Sequence, residues 1–306
     1  MKAARHDRTL SPNPSPVKGE GSGQSRSASF TLIDTHCHFD AAEFDADRDE
    51  VYAAAKVGAG GTAQAGFAAN WVTALVVPAV ERANFGAVAS VCREYPGCFP
   101  AYGIHPLYVE RARPADLAAL REMLTREPVV AVGEIGLDRY VAQRDDARQE
   151  FYFVEQLKIA REFDLPVLLH VRRAIDPILK CLRQSRVRGI AHAFNGSRQQ
   201  ADEFIKLGFK LGFGGAMTFP GAQRIRALAA DLPLDSIVLE TDAPDMPPQW
   251  KVGARNTPAE LLPIAETLAQ LRGLALAEIA AATSANACAV LPRLEDFQHN
   301  TEREKP

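Results

Sequence analysis

Two histidines one residue apart, His36 and His38 with Cys37 between them, are the first feature with evident chemistry. Alternate side chains of an extended segment share a face, so both imidazoles project together and can chelate one cation, while Cys37 turns away into packing. Two histidines that merely hydrogen-bond locally would show the same pattern. Glu134 follows the apolar run from Val129 to Gly133, with glycines at 133 and 136. An unpaired carboxylate there carries a large desolvation cost. Its two oxygens suit a bridge between two cations; a salt bridge to Arg172 or Arg139 is the structural alternative. His170 and His192 each close an apolar run and singly read as satisfied core residues, but beside the paired histidines and a carboxylate they make a nitrogen-rich pocket. Asp242 closes the run from Ile237 to Thr241 and is the acid nearest its end. Glu240, alternating with it, either supports it or forms a buried ion pair. Asp34, one step deeper than His36, either fixes the tautomer of a ligating histidine or is a hydrogen-bonded structural acid. His36, His38, Glu134, His170, His192 and Asp242 thus define a candidate dinuclear site, with Glu134 and Asp242 as the catalytic acids. Two cations roughly 3.5–4 Å apart would lower the pKa of a bridging water and stabilise a leaving oxygen.

These residues fall at the ends of eight β-branched or apolar runs: Thr31 to His38, Val72 to Val80, Cys98 to His105, Val129 to Asp138, Val167 to Arg172, Gly189 to Phe194, Lys210 to Met217 and Ile237 to Asp242. Helix-length segments separate them. After the fourth run, Phe153, Leu157, Ala160 and Phe163 recur at the spacing of one helix face. Several such segments end in Pro or Gly close to the next run, as at Leu165-Pro166 and Leu207-Gly208. Eight strand–helix units predict an α/β fold, a single-domain (β/α)8 TIM barrel over residues 30–292 with a tail at 293–306. An open doubly wound sheet is the alternative, but no GxGxxG turn follows the first run. In a barrel the C-terminal strand ends converge on one face, which gathers five of the seven histidines, including His105, into one basin.

Composition excludes several classes. With 35 basic and 38 acidic residues the chain of 306 carries a net charge of −3, too acidic for a protein that coats duplex nucleic acid. No stretch approaches the ~18 apolar residues of a membrane-spanning helix. Residues 1–29, rich in Pro, Gly and Ser with only six apolar side chains, read as a disordered extension; they carry +3, leaving −6 for the rest. Five cysteines without a CxxC pair argue against a disulfide framework and for a reducing cytoplasm. No GxSxG elbow is present, no cysteine ends a run on the basin side, and no lysine ends a run where a modified lysine would bridge metals. The Gly/Ala-rich segment from Gly58 to Asn70 is long for a connection before the second run and has no functional reading.

Six segments in order carry a family resemblance: Ile33-Asp34-Thr35-His36-Cys37-His38, Gly103-Ile104-His105-Pro106, Val132-Gly133-Glu134-Ile135-Gly136-Leu137-Asp138, Leu169-His170-Val171-Arg172, Ala191-His192-Ala193-Phe194-Asn195-Gly196 and Leu239-Glu240-Thr241-Asp242-Ala243-Pro244. From about Leu32 to Leu291 the chain resembles the TatD family of metal-dependent deoxyribonucleases, within the amidohydrolase-like barrels. The resemblance implies that His36, His38, Glu134 and Asp242 hold one metal and that Glu134, His170 and His192 hold the other. It implies that His105 and Arg172 face a substrate phosphate, and that Arg255-Asn256-Thr257-Pro258 matches the family's late Arg-Asn segment. The activity it implies is removal of nucleotides from the 3′ end of single-stranded DNA. It also implies Mg or Mn as the working ion, whereas four imidazoles equally suit Zn. Two positions depart from the pattern: Arg173 stands where an acidic residue is common, and Ala193-Phe194-Asn195 replaces Cys-Phe-Ser. Rival readings are a dinuclear hydrolase of small amides, lactones or phosphate esters, and a metal-binding scaffold without turnover. The sequence identifies no protein partner.

Overall fold

The computed structural model describes residues 30–57 and 71–294. The expectations for residues 1–29, for the Gly/Ala-rich segment and for residues 295–306 lie outside the described residues. Eight parallel strands follow one another around a single sheet in sequence order: β1 (Leu32–Asp34), β2 (Val72–Pro78), β3 (Cys98–Tyr102), β4 (Ala131–Asp138), β5 (Val167–Arg172), β6 (Gly189–Ala191), β7 (Phe209–Phe213) and β8 (Ile237–Leu239). Parallel neighbours require long crossovers. These are helices: α1 (Arg48–Val57), α2 (Phe85–Glu94), α3 (Pro114–Arg126), α4 (Asp146–Glu162), α5 (Ile175–Ser185), α6 (Arg198–Lys206), α7 (Gln223–Asp231) and α8 (Leu261–Arg272), with α9 (Leu276–Val290) after the last. This is the (β/α)8 TIM barrel. Among the described residues no single helix is long and apolar enough to cross a membrane.

Alternate strand positions feed two apolar layers, because successive side chains face opposite sides of a sheet. Ile33, Val76, Phe99, Leu168, Ile190 and Val238 fill the barrel interior. Val290, Leu291 and Leu294 pack against the same cluster from the end of α9. Leu294 is fully buried. On the outside, α4 buries Phe153, Leu157 and Ala160 as its periodicity predicts, and Phe163 caps the helix partly buried. The same face buries two glutamines. Gln156 accepts from the Ile104 N–H at 2.7 Å and donates to the Ile104 carbonyl at 3.0 Å, and Gln149 accepts from the Asp138 N–H at 3.0 Å. Both satisfy backbone that the β-ladder leaves unpaired at strand ends, which fixes the segments carrying His105 and Asp138.

The seam between β8 and β1 is closed by Asp34. Its Oδ1 accepts from the N–H groups of Thr241 at 3.0 Å and His36 at 3.2 Å, and its Oδ2 accepts the Thr241 hydroxyl at 2.5 Å. Both oxygens are thus spent on the seam, so Asp34 orients no imidazole ring and is the structural acid of the two expectations. Burial pushes its carboxyl up to about 7 despite these hydrogen bonds. The ladders also end earlier than the apolar runs suggest. Glu134 and His170 lie within strands, but His36, His38, His105, His192 and Asp242 lie beyond them. The backbone leaves extended geometry there, with φ of +44° at Ala193 and +57° at Asp242. Its N–H groups nevertheless stay paired with neighbouring segments, as in His105 to Val80 at 2.9 Å and Asp242 to His36 at 2.8 Å.

Candidate metal centre

Glu134 lies at the centre of the basin, 2% exposed, with four imidazoles around it. Its Oε2 is 3.1 Å from His36 Nε2 and 3.6 Å from His38 Nε2; its Oε1 is 3.0 Å from His170 Nδ1 and 3.6 Å from His105 Nε2. Each oxygen therefore faces a different pair of rings. Among the described residues no arginine or lysine pairs with this carboxylate, which removes the salt-bridge alternative to Arg172 or Arg139. Asp242 closes the opposite side, its Oδ1 3.7 Å from both His36 Nε2 and His38 Nε2 and its Oδ2 3.6 Å from His192 Nε2. The His36 and His192 rings stack with centroids 3.8 Å apart. Potential ligand atoms fall within 4.8 Å of one another in three groups: His36 with His38 and Glu134, His36 with His192 and Asp242, and His105 with Glu134 and His170. His192 is thus grouped with Asp242 rather than with Glu134 and His170, the partners the resemblance implies.

The far nitrogen of each ring decides what the near one can do, because a neutral imidazole has one donor and one acceptor. His38 directs Nδ1 at the Pro78 carbonyl, 3.2 Å away, which only a donor can satisfy, so its Nε2 keeps a lone pair for the basin. His170 directs Nε2 at Asp138 Oδ2 and Nδ1 at Glu134 Oε1, each at 3.0 Å; burial opposes charge on the ring, but these two acceptors outweigh it and raise its pKa, and a cation would take the place of the inward Nδ1 proton. His192 has Nδ1 3.0 Å from Glu240 Oε1, off the line of a well-formed hydrogen bond, and Nε2 facing Asp242. These arrangements, a ring with its outer N–H on a carbonyl or carboxylate, are those of metal-ligating histidines. His105 differs: its Nδ1 accepts from the Leu107 N–H at 3.2 Å, so the neutral ring carries its proton on Nε2, facing the basin. Its inward donor is fixed by the Leu107 N–H, whereas His38, His170 and His192 turn their outer nitrogens to carbonyl or carboxylate acceptors. Among the described residues the buried Nδ1 of His36 has no hydrogen-bond partner.

Electrostatics follow from burial in a mixed field. Burial pushes His105 down to about 3, outweighing Glu134, so the ring is neutral. Burial likewise lowers His36, helped by His192. For His192 burial opposes charge, but Glu240 and Asp242 overcome it and lift the ring to about 10. Burial would raise Glu134, yet His36 and His105 lead the groups that hold it well below the usual carboxylate range. Asp138 is held down to about 2 against its burial, chiefly by the hydrogen bond to His170. The donor set fits divalent cations: the buried carboxylates have only imidazoles for compensation, and a cation bound among them would replace protons that inward ring nitrogens now carry.

Two partners of the rings gain roles that sequence patterning left open or missed. Glu240 sits against His192 and accepts from the Ala193 N–H at 2.6 Å, in space that Gly212 provides; a Cβ there would lie 2.2 Å from Glu240 Oε2. Asp138 reads in sequence only as the polar end of a run. Its Oδ1 accepts from the Tyr140 and Val141 N–H groups at 2.8 and 3.3 Å while Oδ2 holds His170. Arg172 ends β5 at the rim and is exposed, with its guanidinium carbon 3.9 Å from the Tyr140 ring centroid. Arg255 grips the Asp47 carboxylate through both terminal nitrogens at 2.9 and 2.6 Å, tying the loop after β8 to the one after β1. Asn256, beside it, donates to the Thr241 and Asp245 carbonyls, each at 2.8 Å.

The family model described as TatD related DNase matches residues 33–292. The chain belongs to this TatD family. It is 41% identical over 255 residues to an Escherichia coli K12 protein described as the uncharacterized metal-dependent hydrolase YjjV, covering 82% of this chain and 94% of that one. The crystal structure of the same relative superposes with a TM-score of 0.77 over 85% of this chain and 98% of that one, at 39% identity. A human TatD relative, named deoxyribonuclease TATDN3, is 31% identical, covering 88% of this chain and 97% of that one. The protein is a metal-dependent hydrolase of the TatD family.

Proposed function

We propose that the protein hydrolyses phosphodiester bonds and removes nucleotides from the 3′ end of single-stranded DNA. The observation carrying this reading is Glu134, whose two oxygens face separate imidazole pairs and so suit two adjacent cations. His36, His38, Glu134 and Asp242 would hold one cation; Glu134 and His170 would hold the other, with His192 completing the ligand set on the Asp242 side. Two divalent cations, Mg or Mn by kinship and Zn by ligand type, supply charge neutralisation for the phosphate and acidify a water. Asp242, with 14% of its side chain exposed against 3% for Glu134, is the acid that reaches the attacking water and takes its proton. His105 donates its Nε2 proton in a hydrogen bond to a phosphate oxygen, and Arg172 approaches the same group from the rim. The five cysteines, odd in number and without a CxxC pair, support a reducing cytoplasm as its compartment.

The test is digestion of a single-stranded oligonucleotide labelled at either end, with Mg²⁺, Mn²⁺ or Zn²⁺ added to chelator-stripped protein. A 3′ label should appear at once as mononucleotide, and a 5′ label should give a ladder that shortens with time. Immediate release of the 5′ label would reverse the polarity. Turnover of lactones or simple esters with none on oligonucleotides would overturn the nuclease reading.

A further inference from the structure

At the rim of the basin two consecutive arginines converge on one ring. The guanidinium carbons of Arg172 and Arg173 lie 3.9 and 4.7 Å from the centroid of Tyr140. Neighbours along an extended chain point to opposite faces, so two consecutive side chains do not ordinarily meet on a common partner. Here the alternation is broken at Arg173, whose φ of +54° lies in the left-handed region that costs a long side chain free energy. The turn at this residue brings its guanidinium to the same Tyr140 ring that Arg172 meets. The ring then offsets part of the repulsion between the two charges, since an aromatic face attracts cations.

Three further observations bear on what this arrangement takes. Among the described residues neither guanidinium has a carboxylate within ion-pair distance, although Arg139 and Arg144 nearby both engage Asp146. Tyr140 is 51% exposed, so the assembly faces solvent rather than packing inward. Its backbone is fixed by Asp138, the carboxylate whose other oxygen holds His170. The group is therefore indexed to the metal basin through one side chain. Planar forks of N–H donors presented together to water match the oxygens of a phosphate.

We propose that Tyr140, Arg172 and Arg173 form a clamp spanning two phosphates, Arg172 on the scissile one and Arg173 on that of the neighbouring nucleotide. The proposal rests on the nuclease reading of the basin and deepens it: the preferred substrate carries at least two phosphates, as an oligonucleotide does and a simple diester does not. Tyr140 gathers the arginines, and Arg173 adds the charge that reaches beyond the scissile linkage.

The experiment compares the parent protein with Arg173→Gln, Tyr140→Leu and Tyr140→Phe on an oligothymidylate and on bis(4-nitrophenyl) phosphate, which has one phosphate. For Arg173→Gln and Tyr140→Leu, the ratio of kcat/KM on the oligonucleotide to that on the diester should fall about tenfold, mainly through KM. The slope of log KM against log salt should shrink by about one-half to one for Arg173→Gln. Tyr140→Phe should keep the ratio within about twofold, because the ring and not its hydroxyl gathers the arginines. An unchanged ratio in Arg173→Gln, or a Phe variant as impaired as the Leu variant, would overturn the clamp. If the parent cleaves no oligonucleotide with any metal, the nuclease reading fails by itself. Fluorescence anisotropy of the labelled oligothymidylate in chelator then reads the clamp: weaker binding by Arg173→Gln upholds it, and equal binding overturns it.

Discussion

Replacing Asp138 with Asn isolates the orientation of one ring proposed to ligate a metal. In the parent, Oδ1 accepts two backbone N–H groups and Oδ2 accepts His170 Nε2–H at 3.0 Å. The amide oxygen of Asn is held in place by those two backbone donors, which leaves the NH₂ group facing Nε2. Two donors cannot pair, so the neutral His170 ring keeps its proton on Nδ1, the nitrogen 3.0 Å from Glu134 Oε1. The lone pair that a cation needs there is lost although no ligand has been removed. Loss of such a partner costs roughly 10- to 100-fold in cation affinity, about 1.4–2.7 kcal/mol. Calorimetric titration of Mn²⁺ or Zn²⁺ into apo protein should show the affinity of one of two sites falling by that factor. The melting temperature of the apo variant should stay within a few degrees, since both loop N–H groups keep an acceptor. Equal affinities at both sites would refute the tautomer argument.

Glu134→Ala should lower oligonucleotide turnover on the order of 10³-fold or more while the circular dichroism spectrum is retained, if one carboxylate serves both proposed cation positions; near-parental rates would dismiss the bridging role. Adding a cation at about 100 times its Kd to chelator-stripped protein should stabilise it by about 2.7 kcal/mol per site, which scanning calorimetry would register as a rise of roughly 5–10 °C. Gly212→Ala should weaken cation binding and turnover together, about tenfold, because a Cβ 2.2 Å from Glu240 Oε2 displaces the acid that sits against His192; unaltered metal binding would show that Glu240 is not needed there.

The barrel was legible because its signal is long-range and redundant: eight apolar runs, each followed by a helix-length segment, leave few topologies. The basin was legible for a related reason. A single imidazole or carboxylate closing an apolar run reads as a satisfied core residue, but several such ends brought together by a barrel do not. Side-chain partnerships were not legible, because they depend on contacts between residues far apart in the chain. Whether Asp34 serves a ring or the seam turns on Thr241, 207 residues away. The separate character of His105 depends on which of its nitrogens meets the Leu107 N–H. Strand ends were overestimated because apolar composition continues after the backbone has left extended geometry, as at His36 to His38. The rim clamp was hidden for a similar reason: nothing in the letters Arg172-Arg173 reveals the left-handed turn between alternating and converging side chains.

The Asp34–Thr241 fastening has a bearing on when the enzyme comes into being. His36 is made early and Asp242 late, and the hydrogen bonds joining their segments run between the first strand and the last. A ribosome must therefore translate past residue 242 before the basin can be completed. Abortive products ending before β8 would contain His36, His38, Glu134, His170 and His192 but lack Asp242 and the bonds that set β1 in place. A cell producing such a hydrolase is thereby spared hydrolytically competent fragments, since competence arrives with the final turn of the barrel.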